Sequence, residues 1–432
     1  MRGSIPQPPG WIIPGTQRVK IRGSRTALSK MVAGTGAFLP WMFLRVVAMA
    51  GTVSFATLVL GLEAYGQLVT ALAVGGFLSP LAGLGLHMRV MTEWQGTTDR
   101  RQRWLAGFCG EWLVASLVFA ALGVAGSYAV FRTHAPHGLL AGVLGLEVLA
   151  ASGLEWLSRV ALMRGGAAAY ARLLGLFQVG RLALLLPLGL TGLCSLPTFA
   201  AVWSFATGLS LWGTARAVGV PRPRLPTVKT LAAALRAGGP FVVSAQSYRL
   251  QAEFNKPVIA GAGFALAGAL GLAQRVIDVA ALPILGLQMG LSQRVFAGQA
   301  AFRTILSQAG ISLGLAGLIG FGIANLAPRI GSHLGADYAP AIHTLVQLAA
   351  LPALQVLRQT LTLLLAFRER TRLLPVAELP ACVAGVVVTL VLVPDLGLTG
   401  AVCGLYAGEV VQLCVQAALL RFAGRKRPIA AI

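Results

Sequence analysis

The pentapeptide LGLTG stands at residues 188–192, inside LPLGLTGLCSLP (186–197), and again at residues 396–400, inside VPDLGLTGAVCG (393–404). The offset of 208 is close to half of the 432-residue chain, which points to a duplicated architecture with each copy at an equivalent turn. A short link between antiparallel helices needs backbone conformations that glycine adopts without steric cost, and Pro394 stops the helix before the second copy. LGLTG is therefore read as a structural turn and not as a binding element.

What those turns connect follows from composition. The chain is 56% hydrophobic and only 11% charged, with a mean hydropathy of +0.77, far from the balance of soluble domains. Apolar runs of about 20 residues, each long enough to cross a hydrocarbon core, are predicted at 36–60, 67–88, 105–130, 139–160, 173–191, 197–215, 239–261, 265–293, 305–328, 341–367, 373–393 and 399–420. The fold class is thus an all-α polytopic membrane protein of about twelve transmembrane helices.

The formal charge of +22 invites a nucleic-acid reading, and its distribution argues against one. Of the 35 Lys and Arg residues, 27 fall in alternate connections and tails, while only Arg132 and Arg329 fall on the opposite side. That asymmetry is the positive-inside pattern of a multi-pass membrane protein with both termini cytoplasmic and an even helix count. The five cysteines lie in or beside apolar runs without CxxC spacing, so they read as small hydrophobes, and no metal or cofactor is implied.

The longest internal basic connection, ARAVGVPRPRLPTVKTLAAALRAGGP (215–240), divides the spans six and six. The predicted organisation is a cytoplasmic tail (1–35), a first six-helix lobe (36–215), a linker (216–238), a second lobe (239–420) and a C-terminal tail (421–432), with the lobes pseudo-symmetric around a central cavity. An even number of crossings separates the LGLTG copies, so the lobes share one orientation. A second correspondence supports this: LGLEAYGQLVTALA aligns with AGFALAGALGLAQR when Gly66 is set on Gly268.

The outer connections are short, which leaves no room for an extracytoplasmic catalytic domain such as a sugar polymerase or glycosyltransferase needs. His134 and His137, in HAPH, have no neighbouring carboxylate or cysteine and read as turn residues. Walker and HExxH motifs are absent from the sequence, and the single GxSxG match, GISLG (310–314), lies inside the predicted apolar span 305–328 and not at a strand-to-helix turn, so the chain is not expected to be an enzyme.

Chemistry resides instead in the ionisable residues within the spans, each costing about 2.5–3.5 kcal/mol at the bilayer centre unless it faces a cavity or a partner. The bases are Arg45, Arg181, Arg249, Lys256, Arg275 and Arg358; the acids are Glu111, Glu147, Glu155, Glu253, Asp278, Glu378 and Glu409. In the seventh span, GPFVVSAQSYRLQAEFNKPVIAG (239–261), Gln246, Arg249, Glu253 and Lys256 fall within about 80° of one face at about 100° per residue. Arg249 with Glu253, Arg275 with Asp278 and Glu155 with Arg159 are spaced for mutual neutralisation. Arg45, Arg181, Lys256 and Arg358 have no unshared acid one turn away, and are the better ligands for an anion. Glu111, Glu147, Glu378 and Glu409 have no adjacent base; with Glu253 and Asp278 they form the set expected to couple transport to an ion.

Two like-oriented halves, together with LGLEAYG (60–66), LGADYAPA (334–341) and PDLGLTGAVCGLYAGEVV (394–411), resemble the polysaccharide-exporter branch of the multidrug/oligosaccharidyl-lipid/polysaccharide superfamily, which includes the O-antigen flippases of the Wzx type. That resemblance implies movement of an undecaprenyl-pyrophosphate-linked oligosaccharide across the membrane by cation-coupled alternating access, with membrane lipids and a polysaccharide polymerase or export machinery as partners. Two departures stand out: EFNKP (253–257) where members often carry Asp-Arg, and Leu270 where an aromatic residue is common. The rival on the same fold is a multidrug antiporter for small cations, whose cavity would be dominated by carboxylates and aromatic rings.

Overall fold

A computed structural model describes residues 24–94, 97–131, 137–192, 195–296, 300–368 and 373–422. Among them every regular element is helical: α1 (Ser24–Gly83), α2 (Leu86–Glu93), α3 (Thr98–Phe131), α4 (His137–Leu185), α5 (Pro187–Thr191), α6 (Leu196–Val218), α7 (Val228–Glu253), α8 (Asn255–Ala260), α9 (Phe264–Phe296), α10 (Phe302–Leu334), a 3-10 turn (Ala336–Tyr338), α11 (Ala339–Gln347), α12 (Leu351–Phe367), α13 (Leu374–Leu396) and α14 (Leu398–Phe422).

Among the described residues, eight helical stretches are long and apolar enough to cross a membrane by length and composition, against twelve predicted spans. Two merged pairs and two helices that fall short of that hydropathy make up the difference. α1 has 60 residues and α4 has 49, and at about 1.5 Å per residue either would far exceed a hydrocarbon core of about 30 Å. Neither is a single rod. α1 breaks at Gly61 (φ 73, ψ 169) and α4 at Gly165 and Gly166; Gly61 and Gly166 (φ 69, ψ −166) hold backbone states that residues with a Cβ rarely adopt. Each therefore holds two of the predicted spans. The other two correspond to α6, whose apolar character is diluted by Trp, Ser, Thr and Gly, and to α7 with α8, which carries the charged stripe.

The linker is shorter than expected. α7 begins at Val228, ten residues inside the predicted 216–238 connection, because Thr227 caps it by accepting from the Thr230 N–H at 3.2 Å and an alanine-rich run follows. The predicted tenth span divides into α11 and α12, with Pro352 in the first turn of the second piece. α10 buries only Ile305, Ser312, Ala316, Gly320 and Ala327, and exposes Ile311, Leu318, Phe321 and Ile330, the pattern of a helix whose outer face meets lipid.

Both LGLTG copies lie where one helix gives way to the next, but with different backbones. In the first copy residues 188–191 are helical and Gly192 caps them at φ 65; in the second the break is at Gly397 (φ 53) and α14 starts at Leu398. The weaker alignment is matched more closely. Gly61 and Gly263, paired by its register, are both positive-φ glycines at helix junctions. Gly66 and Gly268 touch each other: a Cβ on Gly66 would lie 1.8 Å from the Phe264 carbonyl oxygen, and one on Gly268 2.1 Å from that of Leu62. There α1 and α9 pack backbone to backbone. A second close approach joins Gly85 to Gly238, where a Cβ on Gly238 would meet the Leu84 carbonyl oxygen at 2.0 Å. Between these two contacts the helices part.

Candidate functional site

The space between the contacts is a cavity of about 500 Å³ walled by both segments of α1, both segments of α4, and by α6, α7, α9 and α12. Of the six predicted bases, Arg45, Arg181, Arg249, Arg275 and Arg358 line it; of the six predicted coupling acids, Glu147, Glu253 and Asp278 do. Glu155 and Arg159 add to the wall, so six arginines face four carboxylates, a net positive lining in a low-dielectric surround.

The helices from α7 onward neutralise their charges locally. Glu253 pairs with Lys256, whose side chain is 4% exposed, and stands 3.9 Å from Arg249. This overturns the expectation that Lys256 is free: it sits behind Glu253 and does not line the cavity. Pro257 explains the reach. It has no N–H for the Glu253 carbonyl, so α7 ends there, and the helical Phe254 carries the chain straight into α8. Gln251 and Asn255, off the charged stripe, turn away from the cavity. The Asn255 side chain accepts from the Thr389 hydroxyl at 2.6 Å and donates to the Ala401 carbonyl, and Gln251 fits against Gly385 and Gly408. Gln246 is half-buried, and both of its side-chain amide atoms are shielded from solvent without a partner.

Arg275 stands 3.8 Å from Asp278, as its spacing predicted. Arg358 was expected to be free and is not: its Nε donates to Glu409 on α14 at 2.8 Å, which also removes Glu409 from the cavity wall. Glu111 is likewise corrected, since Arg89 holds it at 3.2 Å. Glu378 on α13 lies outside the cavity with one oxygen unpartnered. These partners sit on other helices, at separations that helical periodicity within one segment cannot reveal.

The helices before α7 are different. The Nε atoms of Arg45, Arg159 and Arg181, and one oxygen of Glu147, are buried without hydrogen-bond partners. Arg181 donates to Gln178 at 2.9 Å and lies 4.4 Å over the Trp203 ring and 5.4 Å from Phe177. Arg159 lies over Tyr170 at 5.8 Å, and Glu155 faces His87 at 3.6 Å; no Glu155–Arg159 ion pair forms among the described residues. Glu155 and Arg159 were read from sequence only as a self-neutralising pair and not as cavity residues, and the aromatic shell of Tyr170, Phe177, Trp203 and Tyr248 was not singled out. Only Tyr248, beside Arg249, carried a local signal.

Guanidinium groups with spare donors match the oxygens of phosphate or carboxylate two at a time. His134 lies outside the described residues, and among those described no group of three His, Cys, Asp or Glu side chains could hold a metal ion.

No family model matches the sequence, and no curated protein matches it. Solved structures do. An inward-facing multidrug-resistance MATE transporter of the MOP superfamily aligns over 88% of this chain and 98% of its own, at 17% identity and a TM-score of 0.64. The lipid II flippase MurJ, in an inward closed conformation, aligns over 91% and 88%, at 10% identity and a TM-score of 0.69. A MATE transporter of Vibrio cholerae aligns over 92% and 98%, at 14% identity and a TM-score of 0.59. The chain has the fold that these membrane transporters share.

Proposed function

We propose that the chain is a flippase that moves an anionic lipid-linked oligosaccharide, of the undecaprenyl-pyrophosphate class implied by the sequence resemblance, across the bacterial cytoplasmic membrane. In this reading residues 36–215 and 239–420 are two lobes that rock about the α1–α9 and α1–α7 contacts, with both termini cytoplasmic, and the product feeds surface polysaccharide assembly. The observation that carries it is the cavity's surplus of arginines, three of which hold a buried Nε without a partner. A pyrophosphate and a row of sugar hydroxyls cannot cross hydrocarbon unaided, because each polar group buried without a partner costs several kcal/mol. Arg45, Arg159 and Arg181 supply the missing donors, Arg249, Arg275 and Arg358 hold the rest of the field, and Glu147 is the coupling carboxylate.

A second reading, a cation-coupled multidrug antiporter, draws on the cavity's carboxylates and rings. It fits less well, because the rings that a cationic drug would stack on already carry the protein's own guanidinium groups. Arg181 covers Trp203 and Phe177, Arg358 lies 5.0 Å over Tyr248, and Arg159 faces Tyr170.

The test is complementation of a deletion strain. Loss of the gene should abolish surface polysaccharide, and Arg45→Ala or Arg181→Ala should fail to restore it while the chain still accumulates in the membrane. A deletion strain with normal polysaccharide and new sensitivity to cationic drugs would select the antiporter. Glu147→Gln should remove the dependence of transport on the proton gradient; persistent dependence excludes that residue.

A further inference from the structure

We infer a second ligand site, on the outer side of the first half of the chain: a groove of about 590 Å³ between the two segments of α4 and α6 that holds an anionic phospholipid. It shares no residue with the central cavity. The second segment of α4 separates the two: Tyr170, Phe177 and Arg181 face the cavity, while Arg172, Leu176 and Gly180 face the groove.

The groove has a polar end and an apolar length. Arg164 and Arg172 stand at one end, on either side of the glycine break that joins the two α4 segments. Arg164 donates to the Val218 carbonyl and lies 5.9 Å over Trp94, which fixes its guanidinium at the rim. Arg172 is exposed and has no ion-pair or hydrogen-bond partner among the described residues. From there the walls are Leu173, Leu176, Ala183, Leu184 and Leu209, and the depth comes from Gly180 and Gly213. A Cβ on Gly213 would meet nothing within 4 Å.

Two cations at the end where the helix pair reverses, followed by an apolar trough along the helices, match a phosphate headgroup and its acyl chain in the order a leaflet presents them. A free phosphate would use the rim and leave the trough without a purpose. Each arginine near a membrane surface contributes about a fivefold preference for an anionic lipid.

The inference is independent of what the central cavity transports, and its test reads lipid binding alone. The full-length purified chain is incubated with equal amounts of phosphatidylglycerol and phosphatidylcholine, and retained lipid is counted by native mass spectrometry. The expected result is preferential retention of phosphatidylglycerol, about fivefold weaker in Arg172→Gln, which breaks no contact of the folded chain, and weaker again with Arg164→Ala added. Gly213→Leu should lower retention of both lipids by filling the trough. Equal retention of the two lipids by the unmodified chain, no change in Arg172→Gln and Gly213→Leu, or full displacement of phosphatidylglycerol by inorganic phosphate would each overturn the site.

Discussion

On the wall of the central cavity, the two halves of the chain treat their arginines in opposite ways. From α7 onward each arginine on the cavity wall has a carboxylate within 4 Å: Arg249 has Glu253, Arg275 has Asp278 and Arg358 has Glu409. Before α7, Arg45 and Arg181 reach the same cavity, and among the described residues neither is in an ion pair within 4 Å. The fold places equivalent walls around one space, but only one wall is electrostatically complete. A compensated wall gives structural definition. An uncompensated one leaves donors free for whatever enters, at a cost in stability that only a functional role would retain.

That contrast can be broken most directly at Glu253. Glu253→Gln leaves Lys256 buried without a counter-charge and should cost about 3–5 kcal/mol, read by thermal unfolding of the purified chain; adding Lys256→Met should recover most of the loss. Glu409→Gln, which strands Arg358, should cost about 1.5–3 kcal/mol in the same measurement. At the junction of the halves, Gly66→Ala forces α1 from α9 and should cost about 1–3 kcal/mol. The smallest change is expected on the incomplete wall. Arg181→Met removes a buried charge that is in no ion pair within 4 Å among the described residues and should raise stability by about 1 kcal/mol while abolishing transport. If Arg181→Met destabilises the chain as much as Glu253→Gln does, the distinction between the walls fails.

How much of this was legible from sequence depended on whether a contact is made within one helix or between helices. The stripe of Arg249, Glu253 and Lys256 follows from the helical repeat, and so does the Arg275–Asp278 pair, because residues three or four apart share a face. Arg358 with Glu409 and Arg89 with Glu111 could not be foreseen, being 51 and 22 residues apart. Composition identified the membrane class, and apolar runs located the span 239–261 although a stricter criterion of length and hydropathy passes over α7, which carries the charged stripe. LGLTG, identical in letters, proved the poorer guide to repeated conformation: five residues of Leu, Gly and Thr do not determine which glycine breaks the helix. The alignment with fewer identities located the better equivalence, because Gly61 and Gly263 answer to a steric demand of the turn.

The contact of Gly66 with Gly268 has a consequence for inheritance. Should the halves descend from one ancestral segment, a single ancestral codon became two, and their products now press against each other in the same molecule. A methyl group gained by either copy is felt by both, since each Cβ would point into the other helix's backbone. Elsewhere the two copies were free to drift apart, to the point where one wall pairs its charges and the other does not. At this one place they have remained each other's environment.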